Sequence, residues 1–497
     1  MPLRPLSRYD TWLLPPSLDE LIPQDHPARF VAAFVDAIDR ASWAELGIGI
    51  DGEALGAPAY HPRALLSVWL YGFMTSTRSS RKLEAACRDQ LPYLWLTGWQ
   101  RPDHNTLWRF YREHRDTMRH LFKRTVHTAV KVGLVDMAVQ AIDGTKIAGN
   151  ASKHRTYDRE GLQRLLERTE KTINELEKEN EVGNDPPPSH LPPKLIQAEQ
   201  LRAEVKAAME KLAEEGRKRI NVTDKDSELM KSRHGIVAGY NAQAVVSPAK
   251  VDKEENGLII TAADVTKDAS DVEQLLPMLE QAEENTREQA KVLLADGGYH
   301  SGANLERCAQ RGQVVIMPES QQNALKSIYH KDRFVYDEST DSYMCPQGQV
   351  LHFRRVKRKK GTLAREYGAS LTTCLECSAF GTCTQNSKYG RRIEVGPHDA
   401  LLRQHRELMA TEGAKDIYSR RKELPEPTFG ILKEQMGMRR FLLRGLANVK
   451  AELFTLVTAF NLRTLWRCWR KRKADRQVFS GVRASGDSSI WFFGYAT

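Results

Sequence analysis

Apolar residues recur every three or four positions up to about residue 130, and from Ala138 onward the spacing changes to that of short strands. A helix buries one stripe and a strand every second side chain, so the two segments cannot belong to one kind of layer. The first 130 residues predict an all-helical region. In His61-Pro-Arg-Ala-Leu-Leu-Ser-Val-Trp-Leu-Tyr, Pro62 suits a first helical position, and Leu65, Leu66, Trp69 and Leu70 form a one-sided stripe. A second helix fits residues 80–88. Pro102-Asp-His-Asn-Thr supplies turn residues and a cap before a third, which carries Arg109 and Arg112 among its aromatics. Short helices with basic ends suit a helix-turn-helix-like DNA reader and a dimerisation bundle equally well.

Past Ala138, residues 139–143 read as a short strand running into an Asp-Gly turn, and further strands fit 236–246, 258–265, 292–295 and 314–317. Val292-Leu-Leu-Ala lacks alternation, as expected of a strand buried on both faces. Helices over 271–284 and 303–310 would cover such a sheet, giving an α/β layer fold. The region is interrupted. Leu162, Leu165, Thr169, Ile173 and Leu176 form one helical stripe and Ala198, Leu201, Val205, Ala208 and Leu212 another, with Pro186-Pro-Pro and Pro192-Pro between them. This predicts an antiparallel helical hairpin over residues 157–217, either a solvated coiled-coil arm or one that touches DNA. Residues 331–395 read as polar and loop-rich, with helices returning over 401–409 and 429–465. From Ala474 there is no periodicity, which predicts a poorly ordered tail.

The longest apolar runs fall far short of the ~20 residues that cross a bilayer, and Met1-Pro-Leu-Arg-Pro opens no signal-peptide core, so a cytoplasmic protein away from membranes is expected. Its 497 residues carry 74 Lys and Arg against 64 Asp and Glu, a net charge of +10. Residues 418–473 hold 14 Lys and Arg against 4 Asp and Glu, a surplus equal to that whole net charge. Such a window is either a solvated helical face or a surface for a polyanion. Seven cysteines are too few for a disulfide scaffold, yet Cys345, Cys374, Cys377 and Cys383 fall within 39 residues. Cys374-x2-Cys377 with Cys383 and the distant Cys345-Pro-Gln-Gly is compatible with a four-thiolate structural zinc, and equally with reduced cysteines packing a small loop.

Asp143, in Ala141-Ile-Asp-Gly-Thr-Lys, and Asp296, in Leu294-Ala-Asp-Gly-Gly-Tyr-His, are each expected at the carboxyl end of a strand, where α/β sheets bind ligands. A third acid, Glu426, precedes Pro427, which places it at a helix cap with Lys433 two turns on and facing the same way.

Together these residues resemble the DDE transposases of bacterial insertion sequences, in the group whose third acid lies in a Tyr-x2-Arg-x3-Glu-x6-Lys signature. The matching pieces are Asp143-Gly-Thr-Lys146, His234-Gly-x3-Gly-Tyr-Asn-Ala-Gln243, Ala295-Asp-Gly-Gly-Tyr-His-Ser301, Tyr418 to Lys433, Gly437-x-Arg-Arg-Phe-x2-Arg-Gly445 and Asn461-Leu. Tyr60-His-Pro, Ser79-Ser-Arg81 and Pro102-Asp-His-x-Thr106 extend the likeness toward the N-terminus. The sequence departs from the signature in having four residues between Arg421 and Glu426, and Pro425 directly before the acid.

The resemblance implies an RNase H-like mixed sheet with flanking helices. An all-α domain (1–130) would precede a catalytic domain (137–330, then 396–470), interrupted by the hairpin and by a Cys-rich zinc-binding insertion (331–395), with a basic tail at 471–497. It implies that Asp143, Asp296 and Glu426 hold two Mg²⁺ (or Mn²⁺), Asp143 bridging both, since paired divalent ions serve in-line phosphodiester displacement. It places Tyr418, Arg421 and Lys433 on phosphates near the scissile bond, with Arg439, Arg440 and Arg444 adding contacts to the DNA backbone. The expected activity is cleavage and strand transfer at an element's ends. The partners would be terminal inverted repeats and target DNA, bound by a homodimer associated with the nucleoid. The rival readings are a catalytically inactive transposase-derived DNA-binding protein and a general RNase H-like nuclease.

Overall fold

The computed structural model describes residues 17–51, 59–182, 192–232, 235–319, 327–359 and 362–479. The chain divides into two compact units. The first draws on Met1–Asp136, Gly144–Ala269 and Thr428–Thr497, the second on Met137–Asp143 and Ser270–Pro427.

In the first unit, helices Pro27–Asp36, Pro62–Met74, Ser80–Asp89, Leu91–Thr97, His104–His114 and Met118–Lys131 form a bundle, of which Pro27–Asp36, Pro62–Met74 and Met118–Lys131 pack against the long helix Leu446–Phe479. The expected caps are in place. The His61 ring accepts from the amide of Arg63 at 3.1 Å ahead of Pro62, and Asp103 accepts from the amide of Thr106 at 2.6 Å. The long helix buries Leu453, Leu456, Val457 and Phe460 and is pinned by polar bonds. The Asn461 side chain accepts from the amide of Ile260 and donates to its carbonyl, both at 2.9 Å. Arg78 and Glu452 form a deeply buried ion pair at 3.1 Å, and the amides of Leu442 and Leu443 each donate to Glu452 at 3.0 Å.

The strand β1 (Val139–Ala148) leaves the second unit and enters the first, where its far end lies beside β5. A short pair, β2 (Thr156–Tyr157) and β3 (Ile220–Asn221), closes the base of the hairpin formed by helices Arg159–Val182 and Pro193–Glu214. The hairpin's stripes meet as expected: Leu162, Val205, Ala208 and Leu212 form one cluster, which also takes in Ile220 and Val222. The triple proline at 186–188 lies outside the described residues. Strands β4 (Glu228–Ser232), β5 (Gly235–Val251) and β6 (Glu254–Thr266) form an antiparallel meander.

In the second unit, the start of β1 pairs in parallel with β7 (Val292–Leu294), and β7 with β8 (Val314–Ile316), covered by helices Leu275–Thr286 and Gly302–Gln310. Residues 331–395 depart from the sequence expectation. They are not loop-rich but form a five-stranded antiparallel sheet, β9 (Val335–Asp337), β10 (Ser342–Met344), β11 (Val350–Lys359), β12 (Thr362–Gly368) and β13 (Arg392–Val395). Its inward face carries Phe334, Tyr343, Leu351, Tyr367 and Ile393, while the basic run from Arg354 lies in β11. A solvated face with alternating charges looks like a loop in composition alone.

Four boundaries also differ. The strand β1 does not end in an Asp-Gly turn but runs on through Asp143 and Gly144, because β5 offers partners beyond the point where β7 stops. Glu426 is not at a cap: it lies within helix Pro425–Gly430. Both flanking prolines fall in the first turn, where no intrahelical N–H bond is lost. The expected helix over 429–465 is broken, because residues Ile431–Gln435 widen into a π-turn and Gly437 takes φ +76°, a left-handed conformation that ends the helix. The last helix extends to Phe479, five residues past the predicted start of the disordered tail, since lengthening an existing helix costs little.

Candidate active site

Ala141 of β1 pairs with Leu294 of β7 in parallel register. Two residues further along each chain stand Asp143 and Asp296, so neighbouring parallel strands deliver two carboxylates side by side, at the ~5 Å spacing of such strands. Asp296 lies just past β7, where its carboxylate accepts from the amide of Gly298 at 2.8 Å and fixes the turn. That turn is crowded. A Cβ at Gly298 would lie 2.9 Å from the Asp296 carboxylate and 3.4 Å from that of Asp271. Asp271 is thus a further acid at this site, missed in the sequence because it precedes a helix instead of ending a strand.

Arg421 bridges the two aspartates. Its guanidinium lies 3.1 Å from Asp143 and 3.9 Å from Asp296, with only 13% of its side chain exposed. It sits in the 3-10 turn Arg420–Glu423 that follows helix Glu412–Ser419, and Tyr418 belongs to the last turn of that helix. The extra residue between Arg421 and Glu426 has not displaced the arginine from the acids. Burial pushes the Tyr418 hydroxyl above its ordinary value, Arg421 opposes the shift, and Asp296 and Asp143 add to it. Tyr299 is fully buried and held still higher by burial, Asp271, Asp143 and Asp296. These shifts keep both phenols protonated and uncharged beside the acids.

The other expected site residues are placed differently. Glu426 is exposed and takes no part in the ion pairs that join Asp143, Asp296 and Arg421. Lys433 donates to the hydroxyl of Thr145 at 2.5 Å, within the first unit. Besides these expected residues, the His300 ring, four positions after Asp296, lies 5.8 Å from that of His405, and its buried Nε2 has no hydrogen-bond partner among the described residues. Burial lowers both imidazoles below their ordinary value. Arg439 is exposed and paired with Glu434. Arg440 and Arg444 line a cleft of about 530 Å³ in the first unit, together with Lys153, His154 and Arg155. Arg444 donates through Nε to the carbonyl of Asn150 at 3.0 Å, which holds its guanidinium along that cleft.

Cys345, Cys374, Cys377 and Cys383 line a single small cavity in the second unit. Burial pushes the Cys383 thiol up, and Cys345, Cys374 and Cys377 reinforce the shift against Arg391. Among the described residues, no three His, Cys, Asp or Glu side chains already stand as a metal cage, neither at the acids nor at the cysteines. No described helix is long and apolar enough to cross a membrane.

Comparison with known families adds two matches. Residues 344–466 match a family described as a transposase DDE domain, and residues 16–113 match a family described as a transposase domain of the DUF772 type. No curated protein matches the chain. The two matches fall in separate parts of the chain and agree in kind, and together they support a DDE transposase of an insertion element.

Proposed function

We propose that the chain carries out metal-dependent cleavage of DNA at the ends of its element and transfers those ends to target DNA. The observation that carries this reading is the parallel register that sets Asp143 beside Asp296, with Arg421 across them. Hard carboxylate oxygens on adjacent strands suit Mg²⁺ or Mn²⁺, ions that accept one or two carboxylates and keep several waters. Asp143 and Asp296 would hold the ion and Glu426 would join them once DNA is bound. When bound, paired divalent ions activate the attacking oxygen and stabilise the leaving one.

The remaining chemistry belongs to this chain's own groups. Asp143 and Asp296, partly exposed, present acceptor oxygens toward solvent, and Arg421 offsets the repulsion between their charges. The guanidinium is also suited to a bidentate grip on a phosphate once the carboxylates have another partner. Tyr418 can donate to a non-bridging phosphate oxygen without ionising. We assign the backbone of the DNA to the basic cleft of Lys153, Arg155, Arg440 and Arg444. An RNase H-like catalytic core, a dimer on paired inverted repeats, and residence on the nucleoid belong to the same reading.

The exposed position of Glu426 favours one rival, a transposase-derived protein that occupies DNA ends without cutting them. Incubating the purified chain with a labelled inverted-repeat end and a target plasmid, with Mg²⁺ or with EDTA, separates them. Metal-dependent joined product supports the proposal. Binding with no cleavage at any divalent ion concentration supports the rival, and cleavage without joining indicates a nuclease.

A further inference from the structure

The cysteines of the five-stranded module arrive at one cavity from separate parts of the fold. Cys345 follows β10 at the start of a tight turn, closed by Gly348 donating to the Cys345 carbonyl at 2.8 Å. Cys374 and Cys377 lie at the end of the short helix Leu371–Leu375 and just beyond it, and Cys383 lies in the next turn. The cavity they line, with Leu351 among its walls, is about 20 Å³, room for one ion or one water-sized body.

Two backbone amides are aimed at the sulfurs. Gln349 donates to Sγ of Cys345 at 3.3 Å, and Arg391 donates to Sγ of Cys374 at 3.2 Å. An amide directed at sulfur stabilises a thiolate far more than a thiol, and such donors are the outer-shell contacts that thiolate metal sites use. The Arg391 guanidinium lies in the cavity wall, donating to the carbonyls of Cys383 and Tyr329, where it would offset the negative charge of a tetrathiolate. The module also has a thin core: a sheet of short strands around Phe334, Tyr343, Leu351, Tyr367 and Ile393, with Cys374 itself a member. Units this small commonly rely on a crosslink or a structural metal.

We infer that Cys345, Cys374, Cys377 and Cys383 bind one structural zinc ion, which ties the turn after β10 to the segment between β12 and β13. The four sulfurs line one cavity without already standing as a cage, and four thiolates around Zn²⁺ would draw inward to Zn–S distances of about 2.3 Å. Binding releases the thiol protons to solvent with no change in oxidation state. All four ligands are sulfur, so the ion has no open position and no catalytic role.

The test uses the full chain purified under reducing conditions without chelator. Elemental analysis should find one zinc per chain, and replacing it with Co²⁺ should give the absorption of a tetrahedral tetrathiolate. The double variant Cys374→Ser/Cys377→Ser and the single variant Cys383→Ser should retain about a tenth of that zinc or less. Circular dichroism establishes whether each variant keeps its strands, and Cys383→Ser changes a turn outside them. Asp143→Asn should keep the full amount, since its carboxylate is not among these ligands. A wild-type chain that takes up no zinc on reconstitution would overturn the inference, as would zinc retained by both cysteine variants or two disulfides in place of free thiols. None of these readouts depends on DNA cleavage.

Discussion

At the scale of single residues, buried charge makes the sharpest demands. Arg78 and Glu452 are almost wholly withdrawn from water, and the arginine also donates to the carbonyls of Gly437 at 2.6 Å and Arg440 at 3.0 Å. Removing one partner strands the other. Arg78→Ala is expected to cost about 3–5 kcal/mol, measured by denaturant unfolding, and the double replacement Arg78→Met/Glu452→Leu should cost much less. The pair was not legible in the sequence, where 374 positions separate its members. The His300 and His405 rings offer a second test. Both are held below 6.5, chiefly by burial, so the unfolded chain takes up their protons more readily than the folded one. The stability they contribute is therefore complete above pH 6.5 and lost as pH falls toward their lowered values. Thermal midpoints should drop between about pH 7 and 5.5 by more than in a His300→Asn/His405→Gln variant.

At the scale of elements, the hairpin shows how far periodicity reaches. The stripes through Leu162 and Ile173 and through Val205, Ala208 and Leu212 were readable because a helical pair must bury them on each other, and they are buried. What periodicity could not show is that the base is also part of the core. Ile220 and Val222 pack into the same cluster, and Asp226 joins Lys211 at 2.6 Å to the amide of Leu446 at 2.8 Å. Replacing residues 172–200 with a short Gly/Ser linker should leave the midpoint of unfolding nearly unchanged, within about 1 kcal/mol. Replacing residues 159–214 should expose Ile220 and Val222 and cost about 1.5–3 kcal/mol for each. Equal effects of the two deletions would show the arm to be uniform along its length. The five-stranded module was illegible for a different reason. Its outward residues are charged and its inward ones few, so alternation over short strands was hidden by polar composition.

For the molecule as a whole, the charge surplus and the acids were both visible in the sequence, but their partners were not. The basic window proved to be a mixture: Arg439 is tied up with Glu434, while Arg440 and Arg444 join Lys153 and Arg155, which no linear count had connected to them. Changing Lys153, Arg440 and Arg444 to Gln should weaken binding to all DNA sequences alike. It should also flatten the slope of log affinity against log salt by about 0.9 for each phosphate that is no longer neutralised. The aspartates were found from their neighbours Gly144 and Gly297, yet their convergence depends on a parallel register that only the fold supplies. The most direct test of the central claim is strand joining in Mg²⁺ by Asp143→Asn and Asp296→Asn, each assayed beside its affinity for the same DNA end. Joining is expected to fall by at least about a thousandfold in each variant with DNA affinity unchanged within a few-fold, because each change would remove a proposed metal ligand and leave the proposed phosphate-binding cations in place. Joining at the wild-type rate by either variant would contradict it.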